Sequence, residues 1–255
     1  MIPLALVTGF LGSGKTTLLK RLIDRYRGQP VAWLVNEFGQ VDVDGQLLEL
    51  PPDRLVAVPG GSIFCRCLVG EFIEHLKALS ARDSATGSPR AGVVIEASGV
   101  ADPRVIARML AETRLDRVFR LAGVVAVIDP ANFLKLLSAL PAIAAQVQAA
   151  GTAILNRIDL CDAQAVEAAE QAVRQINPSA RVLRARHCAV DLDILAETPP
   201  SPADGQYAPC RNPDYLTDTC VVSRPLDPQA LRCLLYTSDA ADDLLCVDLG
   251  GRRII

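Results

Sequence analysis

The feature that most limits what this chain can fold into is the octapeptide Gly9-Phe10-Leu11-Gly12-Ser13-Gly14-Lys15-Thr16. It stands directly after the apolar run Leu4 to Val7 and directly before Thr17-Leu18-Leu19-Lys20-Arg21-Leu22. The pattern is G-x-x-x-x-G-K-[ST], in the strand-to-helix context it requires. Its glycines let a loop wrap until successive backbone N–H groups and the helix amino terminus point at phosphate oxygens. Lys15 is placed to reach the β- and γ-phosphates and Thr16 to supply a Mg²⁺ ligand, with Gly9, Gly12, Ser13, Gly14 and Thr17 completing the cradle.

Further apolar runs, Val31 to Val35, Val93 to Ile95, Val124 to Ile128 and Ala153 to Leu155, each precede a polar or glycine-bearing turn and alternate with helical patterns. Runs apolar throughout and separated by helices suit parallel strands buried on both faces. The expected fold is therefore α/β: a P-loop NTPase with a mainly parallel sheet and helices on both faces. Ligands gather at the carboxyl ends of such strands, so the residues just after each run are the candidates for function. Residues 84–89, Ser-Ala-Thr-Gly-Ser-Pro, are expected to form a surface loop, and the proline-rich stretch from Thr198 to Asp214 a linker. That divides the chain into a first domain over 1–205 and, over 206–232, the linker with the start of a second, α+β domain.

Composition excludes some partners. A net charge of -3 and a pI near 5.5 give no basic footprint for nucleic acid. The longest apolar run, about Leu121 to Ile128, is far short of the ~20 residues that cross a membrane as a helix. No basic leader with a small-residue cleavage site precedes Leu4, so a cytoplasmic setting is expected, and the eight cysteines are expected as reduced thiols.

After the run Ala153 to Leu155 comes Asn156-Arg157-Ile158-Asp159, which resembles the N-K-x-D motif of GTPases. Asp159 would accept hydrogen bonds from the guanine N1 and N2 groups, a pattern adenine does not offer. GTP is thus favoured over ATP. Arg157 replaces a lysine whose stem packs over the base, and its own stem and planar head serve the same purpose. The turn Glu96-Ala97-Ser98-Gly99 closes another strand. Asp102, before Pro103, reads as a helix cap.

Two further segments complete the pattern: Asn36-Glu37-Phe38-Gly39-Gln40-Val41-Asp42-Val43-Asp44, and Gly60-Gly61-Ser62-Ile63-Phe64-Cys65-Arg66-Cys67. With the P-loop, they make the chain resemble the CobW-type P-loop GTPases, the GTP-dependent metallochaperones. The resemblance covers about residues 1–232. It implies that Glu96 and the Gly99 N–H face the γ-phosphate and Mg²⁺, Glu96 either holding a Mg²⁺-bound water or orienting the attacking water. It makes the Asn36–Asp44 segment a switch. Where the family commonly has Cys-x-Cys-Cys, this chain has Ser62 and Phe64 at the first two cysteine positions, retains Cys65 and carries Cys67 two places along.

Cys65 and Cys67 still suit a soft ion such as Zn²⁺ or Co²⁺ as cargo, with Glu37 a further candidate ligand. The partner implied is a client metalloprotein or a cobalt-requiring enzyme. The rival readings are a nucleotide-gated maturation factor that carries no metal, with the cysteines as packing residues, and a small-molecule kinase, against which Asn156 to Asp159 argues. His75, Cys161 and the pair His187-Cys188 read as structural. The resemblance also implies a carboxy-terminal domain cut short. Residues 233–255 resemble a translated transposon-tagging sequencing adaptor, since Cys233 to Asp242 and Val247 to Ile255 match its two parts.

Overall fold

The computed structural model describes residues 1–36, 54–58, 62–66, 68–87, 90–196, 205–208, 227, 247–248 and 253–254. Two compact units divide the chain, Met1–Asn212 and Pro213–Ile255. In the first, the elements run β1 (Ile2–Thr8), α1 (Lys15–Arg25), β2 (Val31–Asn36), β3 (Leu55–Val58), α2 (Val69–Thr86), β4 (Gly92–Glu96), α3 (Ile106–Glu112), β5 (Phe119–Ile128), α4 (Pro130–Ala139), α5 (Pro141–Ala149), β6 (Thr152–Leu155), α6 (Ala163–Ile176) and β7 (Arg181–Arg184). In the second, the described residues are Asp227 and two antiparallel strands, β8 (Val247–Asp248) and β9 (Arg253–Ile254).

Seven parallel strands form one sheet in the order β3-β2-β4-β1-β5-β6-β7. Because successive side chains of a strand face opposite sides, β1 feeds two cores at once. Leu4 and Leu6 pack into one cluster with Phe64, Phe72 and Met109, whereas Ala5 and Val7 pack into the other with Leu18, Leu22 and Trp33. Burial on both faces explains why these strands read as uninterrupted apolar runs. A third cluster under α4, α5 and α6 takes in Ile128 of β5 and Ala153 and Leu155 of β6.

The chain after β7 belongs to the same unit. Leu192, Ile194 and Leu195 are buried in the second core, and Tyr26 Oη donates to Asp193 Oδ1 at 2.6 Å. Farther on, residues 205–208 meet the turn that precedes α2. The Ala208 N–H donates to the Phe64 carbonyl at 3.0 Å and the Arg66 N–H to the Ala208 carbonyl at 3.1 Å, a parallel bridge centred on Cys65.

One local expectation fails. Residues 84–86 continue α2 instead of forming a loop, and the helix stops one residue later at Gly87, whose φ of 64° is the left-handed conformation that ends helices. Residues 88–89 lie outside the described residues, as does most of the stretch 206–232 expected to hold the linker and the start of a second domain.

Candidate nucleotide site

β1 leads the sheet to its switch point: β4 pairs on one side of it, β5 on the other, and the loop Gly9 to Gly14 leaves its carboxyl end. Gly9, Gly12 and Gly14 take φ of 136°, 71° and 110°, conformations that glycine adopts freely. Gly14 is the N-cap of α1 and has no side chain with which to cap it, so the amino terminus of that helix faces the loop with backbone alone. Lys15 is 4% exposed, and its ammonium donates to the Phe10 carbonyl at 3.2 Å, folded across the loop. Ser13 is buried and its Oγ has no protein partner; Thr8 Oγ1 and Ser98 Oγ share that condition. Orphaned hydroxyls beside a glycine cradle fit a phosphate-bearing ligand with its metal ion, for which Thr16 lies in the first turn of α1.

Glu96 ends β4, fully buried and in register with Val7 of β1 and Val35 of β2. The turn after it touches the phosphate loop: a Cβ on Gly99 would stand 2.7 Å from the Leu11 nitrogen, an approach only glycine allows. Gln146 of α5 supports this turn from behind, its Nε2 donating to the Gly99 carbonyl at 2.9 Å and to that of Ala101 at 3.3 Å. Asp102 accepts from the Arg104 N–H at 3.0 Å and caps the following turn, as the sequence indicated.

At the opposite corner, Asn156 is buried and tied three ways. Its N–H donates to the Ile128 carbonyl at 2.8 Å, its Nδ2 to the Ser13 carbonyl at 2.9 Å, and its Oδ1 accepts from the Cys188 N–H at 2.8 Å. Arg157 has φ 59° and donates to Asp129 at 3.2 Å, while Asp159 is exposed. The cap of α6 is Asp162, which accepts from the Ala165 N–H at 2.6 Å, so capping does not account for Asp159.

Cys188 is the residue here that sequence reasoning missed as a neighbour of the site. It is buried with its Sγ 3.4 Å from the Gly14 carbonyl, and burial pushes its thiol up to about 12. Its one sequence signal was position, just after the last strand of the sheet. His75 lies on α2, half-buried, with Nε2 3.7 Å from Glu71 Oε1. Cys161 sits beside the Asp159 loop, where burial and then the carboxylates of Asp129, Asp162 and Asp159 raise its thiol.

In the cysteine-bearing turn, Ile63, Phe64 and Cys65 are all buried. Phe64 packs edge-on against Phe72, ring centroids 6.3 Å apart, and Ser62 closes the turn, its carbonyl accepting from the Cys65 N–H at 2.9 Å. Both residues that depart from the Cys-x-Cys-Cys pattern are therefore built into core and turn. Glu37 and Cys67 lie outside the described residues, and among the described residues no three His, Cys, Asp or Glu side chains gather to hold a metal ion.

Folds of this kind bind phosphate at the corner where β1 meets α1, and the class is that of P-loop nucleotide-binding domains. Comparison with known proteins narrows it: the chain belongs to the CobW/HypB/UreG family, whose nucleotide-binding domain matches residues 3–184. It is 30% identical over 198 residues to the zinc chaperone YjiA of Escherichia coli (strain K12), covering 77% of this chain and 61% of that protein. The zinc chaperone CobW of Pseudomonas aeruginosa is 31% identical over 137 residues, 50% of this chain and 35% of that protein. The zinc-regulated GTPase metalloprotein activator 1 of Schizosaccharomyces pombe is 29% identical over 198 residues, 74% of this chain and 47% of that protein. Among solved structures, Zn(II)-bound YjiA GTPase from E. coli superposes with a TM-score of 0.55 at 25% identity, over 76% of this chain and 60% of that one. The chain thus spans less than two thirds of the length of these relatives. No helix among the described residues is long and apolar enough to cross a membrane.

Proposed function

We propose that this chain is the nucleotide-binding part of a cytoplasmic GTP-hydrolysing metallochaperone that carries Zn²⁺ or Co²⁺ to a client metalloprotein or cobalt-requiring enzyme. The observation that carries the nucleotide reading is the junction of the two loops a GTPase uses: Asn156 of the base-reading segment is bonded to Ser13 of the phosphate loop at 2.9 Å. Lys15 and the first N–H groups of α1 bind the β- and γ-phosphates, Thr16 holds Mg²⁺, and exposed Asp159 accepts from guanine. Mg²⁺, when bound, neutralises charge developing on the phosphates. Glu96, carried on β4 beside the phosphate loop, serves that ion's water shell or the attacking water.

The metal reading rests on relatives whose names are zinc chaperones and on Cys65 and Cys67, with Glu37 as a further ligand. One observation favours a second reading, a nucleotide-gated maturation factor without cargo: Phe64 stands at a family cysteine position and is a core residue. Titration of Zn²⁺ and Co²⁺ into the reduced protein, with GDP and with a non-hydrolysable GTP analogue, separates the two. Thiolate-to-cobalt charge-transfer absorbance that disappears in Cys65→Ser and Cys67→Ser supports cargo binding. An absorbance unaffected by both substitutions, with metal affinity unchanged, leaves the cargo-free factor. A GTP affinity no better than that for ATP would overturn the nucleotide assignment.

A further inference from the structure

Asn36, the last residue of β2, is 3% exposed, and its carboxamide meets backbone from three places. Nδ2 donates to the Val58 carbonyl at the end of β3, at 3.0 Å. Oδ1 accepts from two donors, the Ile63 N–H at 3.0 Å and the Ser98 N–H at 3.3 Å. Ile63 belongs to the turn that carries Cys65, whose own N–H closes onto Ser62. Ser98 belongs to the turn that presses Gly99 against Leu11 of the phosphate loop. A single oxygen thus holds the metal-candidate turn and the phosphate-side turn together.

We propose that Asn36 is a positioning residue that couples these two turns, so that the presence of a terminal phosphate changes the backbone around Cys65. The inference rests on the reading above, in which the turn from Glu96 to Gly99 faces the γ-phosphate. The Ser98 bond, at 3.3 Å, is the longer of the two and gives first when that turn is drawn toward a ligand. Because the acceptor is shared and buried, a shift of one donor changes the bond to the other. Phe64, seated on Phe72, keeps the rest of the turn in place while Ile63 and Cys65 respond. Coupling through a two-arm contact of this kind requires that both arms bias one element.

Hydrogen exchange read by mass spectrometry on the full chain, free of Zn²⁺ and Co²⁺ but with Mg²⁺ present, tests the proposal, with GDP or a non-hydrolysable GTP analogue bound and affinities for both measured alongside. In the parent, exchange of the amides at 62–66 is expected to differ by at least about 5-fold between the two nucleotides, the low end of usual coupling. Asn36→Ser, whose hydroxyl is too short to reach both donors, is expected to cut that difference below about 2-fold while both nucleotides still bind. Asn36→Asp keeps the acceptor, replaces the donor to Val58 with a second oxygen and adds a charge, and is expected to restore the difference; thermal melting reads its stability cost separately.

A parent-like difference in Asn36→Ser overturns the proposal, as does an Asn36→Asp variant that behaves like Asn36→Ser. A parent that binds the analogue with no change at 62–66 also overturns it and leaves the GTPase reading standing. A parent that fails to bind the analogue removes that reading and this inference together. No Zn²⁺ or Co²⁺ enters the measurement, so the cargo question is decided independently.

Discussion

The Asn156 carboxamide nitrogen lies 2.9 Å from the Ser13 carbonyl oxygen, joining two loops 143 residues apart in the chain. The same side chain accepts from Cys188, so one buried asparagine sets the spacing between the phosphate loop, the strand end that carries Asp159, and the turn after β7. Asn156→Ala leaves the Ser13 carbonyl and the Cys188 N–H without that partner, at about 1–3 kcal/mol for each buried group left unpaired. Melting temperature should fall by roughly 2–4 °C for each kcal/mol lost in a domain of this size. A variant that melts with the parent and binds GTP equally well would refute the bracing role.

Gly99→Ala tests the close approach of the phosphate-side turn. Its methyl group would overlap the Leu11 nitrogen, so either the turn or the phosphate loop must move. A displacement near an ångström at a positioned group costs on the order of 100-fold in activity. GTP turnover per site should fall by about that factor while far-UV circular dichroism is unchanged. Turnover within 2-fold of the parent would mean that the two loops do not need each other.

Lys15→Ala should remove hydrolysis. Its ammonium reaches across the loop to Phe10, and no other lysine lies in the loop to replace it. A loss of at least about 100-fold is expected where a charged group stabilises a transferring phosphoryl. Phosphate release measured at saturating GTP decides the matter, and a loss of only a few-fold would count against the assignment.

Asp159→Asn keeps shape and removes the charged acceptor. The ratio of GTP to ATP affinity should drop by the equivalent of about 1.5–3 kcal/mol, the range for hydrogen bonds to charged groups. Calorimetric titration of both nucleotides gives the ratio directly. An unchanged ratio would place base selection elsewhere.

The Cys188 thiol supplies a pH prediction. Burial raises it to about 12, against about 8.5 for a thiol in an unfolded chain. The folded state therefore holds this proton more tightly than the unfolded state. Its contribution to stability is full below pH ~8.5 and is lost as the pH rises toward 12. Urea midpoints should decline over that window, and less steeply in Cys188→Ala. Site-resolved alkylation at pH 8 should label Cys188 at least about 100-fold more slowly than an unfolded thiol, since the thiolate is the reactive species. Rapid labelling in the native state would show that the turn opens.

Much of the frame was legible because it is written locally. Five apolar runs became β1, β2, β4, β5 and β6, and the Gly9 to Thr16 loop sits where strand and helix patterns meet. Asp102 was readable as a cap because a cap and its helix are neighbours in sequence. The contacts of Asn36, Gln146 and Cys188 were not readable, since they join residues 22 to 174 positions apart and exist only once the sheet order is set. Strand β3, four residues long, carries too little pattern to stand out. The residues 84–86, polar and small, match a loop in composition, yet they finish a helix because the left-handed stop is supplied only at Gly87.

The family match ends at residue 184, but the folded body does not. Leu192, Ile194 and Leu195 complete an apolar wall over β2 and α1, and Ala208 returns to pair beside Cys65. An expression boundary drawn at the end of the conserved domain would strip that wall and leave the Phe64 carbonyl and Arg66 N–H without their strand partner. The smallest piece worth excising for crystallisation or spectroscopy therefore runs past Ala208.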